Sequence, residues 1–190
     1  VPLPLIFFVK EITRTPEMRF NWGAFRAFKN KQVLAVAAVG LVIFLVIVGA
    51  NQNVNPAFSE RFGIDLSTAG LITTVWGIGC VAGALIGGVI MDKTGNRNAL
   101  LLSLVLVVPA MVLLALVKSL PLMWAVAVFF GIAYGLSQAV YFALAMKYTE
   151  PSIAASMYSI LMAVTNIGQG IGLGVAGGLA KSGGFPVTFL

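Results

Sequence analysis

The sequence predicts an all-α, multi-pass membrane protein, and three observations carry that expectation. Hydrophobic residues make up 59% of the chain and charged residues only 9%, with a mean hydropathy of +1.00. A soluble domain carries about a quarter charged residues and could not hide this much apolar surface from water. Apolar runs of the length a bilayer core requires, about 20 residues per helix, recur with short polar punctuation between them. The basic residues, finally, gather in alternate connections. With the long basic segment in the cytoplasm, Lys10, Arg14, Arg19, Arg26, Lys29, Lys31, Lys93, Arg97 and Lys147 fall inside, and only Arg61, Lys118 and Lys181 fall outside.

Taken in order, Val1–Val9 (VPLPLIFFV) reads as the last turns of an earlier spanning helix, since neither a basic leader nor a small-residue cleavage site marks it as a signal peptide. Residues 10–31 form the one sizeable polar stretch. Pro16 and Glu17 suit a helix start, after which Trp22, Phe25 and Phe28 fall at helical spacing among Arg19, Arg26, Lys29 and Lys31. That pattern suits an amphipathic helix on the inner membrane surface, held by anionic lipid or acting in gating. Residues 32–190 form the transmembrane bundle, with spans expected at about 32–50, 69–91, 98–117, 122–146 and 152–180 and the start of another at 185.

Glycines mark how these spans pack. Gly79, Gly83 and Gly87 recur every four residues in the second span; Gly131 and Gly135 do so in the fourth; Gly168 with Gly172, and Gly170 with Gly174 and Gly178, do so in the fifth. In lipid there is little hydrophobic drive between helices, so close backbone approach through small residues supplies the packing. The same stripes would serve sliding during a conformational change. From Asn96 to Phe130 there is no glycine, and between Leu100 and Val117 the only polar side chain is Ser103, so the third span should face lipid.

The turn after the second span is the most specific feature. Gly88, Asp92, Lys93, Gly95, Arg97 and Leu100 resemble, position by position, the loop signature of the major facilitator superfamily, with Ile90 in the place of a leucine and Asn96 where a basic residue is usual. The resemblance implies a six-helix bundle that is the C-terminal half of a twelve-helix transporter, incomplete at both ends, with residues 10–31 as the linker from a missing N-terminal half. It also implies that the third helix of this half is peripheral and that the first, second, fourth and fifth line a central cavity. Asp92 would meet the first amides of the fifth span, near Thr149–Ser152, when the cavity opens outward, and would lose that contact when the inner side opens. Lys93 and Arg97 would hold the loop through carboxylates or lipid phosphate. A purely topogenic role for the three charges is the alternative.

Polar groups deep in a membrane are expensive and mark a solute route, a helix contact or both. Tyr134, Gln138 and Tyr141 fall at i, i+4 and i+7 in the fourth span with Ser137 alongside; Tyr158, Thr165, Asn166 and Gln169 cluster in the fifth; Thr73, Thr74 and Trp76 sit in the outer half of the second. Thr73, Trp76, Tyr134, Gln138, Tyr141, Asn166 and Gln169 are therefore candidate substrate ligands, or else interhelical hydrogen-bond partners and hydroxyls bonding back one turn. Trp124 and Tyr148 lie near the expected interfaces, as belt anchors.

Several functions are disfavoured. With no His and a lone Cys80, no metal site, cofactor site, disulfide or Ser-His-Asp arrangement can be assembled from this sequence, so an enzyme is not expected. The net charge of +6 is loop-bound and topological, which argues against nucleic acid as a partner. No Asp, Glu, Lys, Arg or His lies mid-span, so a coupling proton or sodium ion would be handled elsewhere, or the protein is a uniporter. The expected function is a secondary transporter moving a small neutral or amphiphilic solute by alternating access, in the plasma membrane, with residues 10–31 and 92–97 cytoplasmic. A non-transporting scaffold, sensor or assembly factor on the same fold is the alternative.

Overall fold

The computed structural model describes residues 20–190. The expected helix tail at 1–9 and the helix start at Pro16–Glu17 lie outside the described residues. Among the described residues, five helices are long and apolar enough to cross a membrane: α1 (Lys31–Phe62), α2 (Leu66–Thr94), α3 (Asn96–Leu116), α4 (Leu120–Lys147) and α5 (Ala154–Gly183). A 3-10 turn, Pro151–Ile153, leads into α5, and another, Phe185–Phe189, follows it.

α1 departs most from expectation. Instead of ending near Ala50 it continues to Phe62, through a π-helical turn at Phe44–Val48 and past Pro56. The polar run Asn51-Gln52-Asn53 looks like a loop in sequence. In hydrocarbon, however, backbone groups must be satisfied within the segment, so the helix persists and the amides find local partners. Asn53 Nδ2 donates to the Gly49 carbonyl at 2.9 Å. The helix stops at Gly63, whose φ of 61° is left-handed, a common helix terminator. Two residues later the Asp65 carboxylate accepts the Thr68 amide at 3.1 Å and starts α2. Hydrogen bonds from the Thr68 side chain and then its amide hold the fully exposed Asp65 carboxyl below its ordinary range.

The turn between α2 and α3 is a single residue. Gly95 donates its amide to the Met91 carbonyl, closing α2, while its own carbonyl accepts the Ala99 amide, opening α3. Its φ of 79° and ψ of 165° lie in a region open essentially to glycine alone. Gly95→Ala should therefore cost about 1–3 kcal/mol, read as a lowered melting temperature of the purified protein in detergent; an unchanged melting temperature would show that the turn relaxes freely.

The helices associate as two glycine-lined pairs. Between α2 and α4, a methyl added at Gly79 would strike the Val128 carbonyl and one at Gly83 the Ile132 carbonyl; in return, Gly131 faces the Trp76 carbonyl and Gly135 that of Cys80. Between α1 and α5, Gly168 and Gly172 pack on the Leu41 and Leu45 carbonyls, and Gly49 on Gly172. The expected stripe Gly170–Gly174–Gly178 has nothing within 4 Å among the described residues, where only the other glycine register of α5 makes a contact. Tyr141 of α4 joins the pairs, its ring wedged against Gly40 and 5.6 Å, centroid to centroid, from Phe44 of α1.

α3 lies on the outside of this arrangement, mainly against α4. Ala99, Ser103, Val107, Ala110 and Leu114 form its buried side, and the Ser103 hydroxyl donates back to the Leu100 carbonyl at 2.7 Å. Val105 and Val108, 66% and 63% exposed, belong to the side turned away from the bundle. At the far end, Arg61 Nη1 donates to the Ala115 and Val117 carbonyls at 3.1 and 2.6 Å, tying the end of α1 to the C-terminus of α3.

Before α1, the helix proper covers only Ala24–Ala27, shorter than the sequence pattern suggests. Just ahead of it Asn21 turns back on the chain, its Oδ1 accepting the Gly23 amide at 2.8 Å.

Candidate functional site

One cavity, of about 420 Å³, gathers polar groups from three helices on the side of the bundle away from the Gly95 turn: Asn51, Gln52 and Asn55 of α1, Thr73 and Trp76 of α2, and Tyr134 of α4, walled by Val54 and Ile72. The glycine contacts of α2 and α4 set Trp76 and Tyr134 against each other, edge to face with centroids 5.2 Å apart. Asn55 Nδ2 donates to Thr73 Oγ1 at 2.9 Å, and that hydroxyl donates back to the Ala69 carbonyl at 3.0 Å. Trp76 Nε1 is buried without an acceptor among the described residues. A donor left in that condition costs about 1–3 kcal/mol. Every polar group in this lining is uncharged.

The structure therefore brings together Thr73, Trp76 and Tyr134 of the residues singled out in sequence, and adds Asn51, Gln52 and Asn55. Their signal was legible as an amide-rich run before Pro56, with Asn51 and Asn55 one helical turn apart; ending the first span at Ala50 hid it. The remaining candidates lie elsewhere. Gln138 follows Tyr134 by one turn, its amide nitrogen buried and unpartnered among the described residues. Tyr141 is fully buried in the core and borders a different cavity of about 250 Å³ with Gln32, Arg97 and Tyr148. Asn166 is exposed and Gln169 half-buried on α5, whereas the neighbouring Thr165 is buried and donates to the Met162 carbonyl at 2.8 Å.

At the opposite end of α2, Asp92, Lys93 and Arg97 are exposed around Gly95, and Gly88 has open space beside it. Asn98 Nδ2 donates to the Thr94 carbonyl at 3.1 Å and Thr94 Oγ1 to that of Ile90 at 2.9 Å, so the turn is braced from both sides. In the turn before α5, Ser152 Oγ donates to Glu150 at 2.7 Å. No hydrogen bond joins Asp92 to that turn among the described residues.

Among the described residues, five spanning helices, four of them paired through glycines and three of them lining an uncharged polar cavity, define an integral multi-pass membrane protein of the transporter class. The chain belongs to the Major Facilitator Superfamily, whose profile matches residues 36–190. It is 26% identical over 175 residues to Multidrug resistance protein 3 of Bacillus subtilis (strain 168), an alignment covering 90% of this chain and 33% of that protein. Its fold matches, at a TM-score of 0.66 and 17% identity, a bacterial homolog of the human lysosomal transporter Spinster solved in an inward-facing, unoccupied conformation, over 96% of this chain and 43% of that one. The chain thus spans a third of the length of the curated relative it matches.

Proposed function

We propose that this chain forms one half of a secondary transporter that moves a small, uncharged or amphiphilic solute by alternating access, and that the cavity of Asn51, Gln52, Asn55, Thr73, Trp76 and Tyr134 is its share of the solute path. The observation that carries this reading is the cavity's chemistry. Amides and two hydroxyls offer both donors and acceptors, two aromatic rings offer an apolar face, and no fixed charge selects an ion. The name of the Bacillus relative, a multidrug resistance protein, favours an amphiphilic solute. Asn166 and Gln169 extend the path along α5, and any coupling proton or sodium ion is handled outside the described residues. The signature turn lies on the cytoplasmic side of the plasma membrane, with Asp92 as the gate charge.

Flux of an uncharged, carbonyl-bearing fluorescent amphiphile into proteoliposomes of the full-length protein, driven by an imposed ion gradient, tests this. Trp76→Phe, which keeps the ring and removes the donor, and Asn55→Leu should each raise the half-saturating concentration about tenfold, the effect of losing about 1.4 kcal/mol of binding. Measurable flux that neither substitution alters would move the site elsewhere. An absence of flux for any amphiphile or ion gradient would favour a non-transporting scaffold.

A further inference from the structure

The segment just before α1 is built with two unlike sides. Successive three-residue-apart backbone hydrogen bonds, from Ala24 to Asn21 through Asn30 to Ala27, wind residues 21–30 into helical turns. At helical spacing Trp22, Phe25, Arg26 and Lys29 share one side, while Ala24, Ala27 and Phe28 share the other. The second side is the docked one: Ala24 is fully buried with Val33 of α1 and Met157 of α5, and Ala27 and Phe28 pack on the same cluster. The Asn21 amide donates to Ser156 Oγ of α5 at 2.7 Å, fixing the segment to the inner end of that helix.

The first side is exposed and strongly aromatic. Trp22, 76% exposed, stacks on Phe25 with centroids 5.8 Å apart, and Phe20 meets both rings edge-on. Arg26, Lys29 and Lys31 are exposed beside this plate. Exposed aromatic rings ringed by cations, joined directly to a spanning helix, match the headgroup layer of a membrane: the rings suit the boundary between acyl chain and headgroup, and the cations suit lipid phosphates. We propose that this plate binds anionic phospholipid of the inner leaflet, and that it couples the lipid surface through Asn21 and Ser156 to the inner end of α5. The proposal rests on the segment's own geometry and stands whether or not the cavity described above carries solute.

Quenching of Trp22 by brominated lipid tests it. In the full-length protein any further tryptophans are first replaced together with Trp76→Phe and Trp124→Phe, so that Trp22 alone reports, and the protein is placed in nanodiscs of mixed phosphatidylcholine and phosphatidylglycerol. Brominated phosphatidylglycerol should quench Trp22 about twofold more than the same fraction of brominated phosphatidylcholine. High salt, or the combined R26Q, K29Q and K31Q changes, should abolish that preference while leaving quenching by total lipid. Equal quenching by the two lipids at low salt would overturn the anionic preference. Absence of quenching by either, with a protein of unaltered circular dichroism, would show that the plate does not meet the bilayer at all.

Discussion

Gly135→Val is expected to prevent α2 and α4 from docking and to leave little folded protein. A side chain there would run into the Cys80 carbonyl and backbone of the facing helix, which cannot yield as the end of a flexible side chain can. Gly83 makes the reciprocal approach to Ile132 one turn further along α2, so both helices would have to move apart over several turns. Separating them forfeits the van der Waals contact that replaces hydrophobic drive in lipid, and the expected loss exceeds about 3 kcal/mol. Gly174→Ala is the matched control, because nothing lies within 4 Å of that position among the described residues; alanine there should be neutral or stabilising by up to about 1 kcal/mol. Thermal melting and size-exclusion profiles in detergent check both. A Gly135→Val protein that melts like the parent would mean that the two helices do not meet as described.

Asp92→Asn is expected to lower the transport rate about tenfold while leaving expression, insertion and melting temperature unchanged. The substitution keeps the shape and removes the charge. A carboxylate near the first amides of a helix stabilises it by about 0.3–1 kcal/mol when exposed and up to about 2 kcal/mol in partly buried geometry. A contact made only in the outward-open state thus biases the equilibrium between the two states by a factor of up to about 30. Asp92 is exposed, and no hydrogen bond joins it to the Glu150–Ile153 turn among the described residues; the proposed contact is one that the outward-open state would make. Rates are read from the proteoliposome flux described above. Normal flux in Asp92→Asn would remove the gate and leave the three charges of the turn with a topogenic role.

Much of the fold was legible because lipid imposes few choices. Apolar length gave all five helices, and four-residue glycine spacing marked the α2–α4 seam and the Gly168–Gly172 contact of α5. What periodicity could not give was which of two interleaved glycine registers on α5 would be buried, since both present the same small surface. The Gly170 register was indistinguishable in sequence from the one that packs on Leu41 and Leu45. The candidate site was half legible for a related reason. Thr73, Trp76 and Tyr134 stood out as polar or amphipathic groups within apolar runs, whereas Asn51, Gln52 and Asn55 were masked by their own polarity. A run of amides resembles a loop until a bilayer obliges its backbone to stay helical. Tyr141 shows the converse. Its helical register beside Gln138 pointed to a shared polar face, yet the absence of a side chain at Gly40 lets α1 approach closely enough to enclose its ring in the core.

The cavity, the gate and the plate each require these helices to cross the bilayer with the Asp92–Arg97 turn on one side and the Arg61–Lys118 end on the other. Lys93→Cys and Lys118→Cys, each made in the Cys80→Ala background with any further cysteines of the full-length protein removed, can be treated in intact cells with a membrane-impermeant maleimide. Lys118→Cys should label from outside and Lys93→Cys only after the membrane is permeabilised. Labelling of both residues from the same side would contradict the arrangement on which the cavity, the gate and the lipid-facing plate all depend.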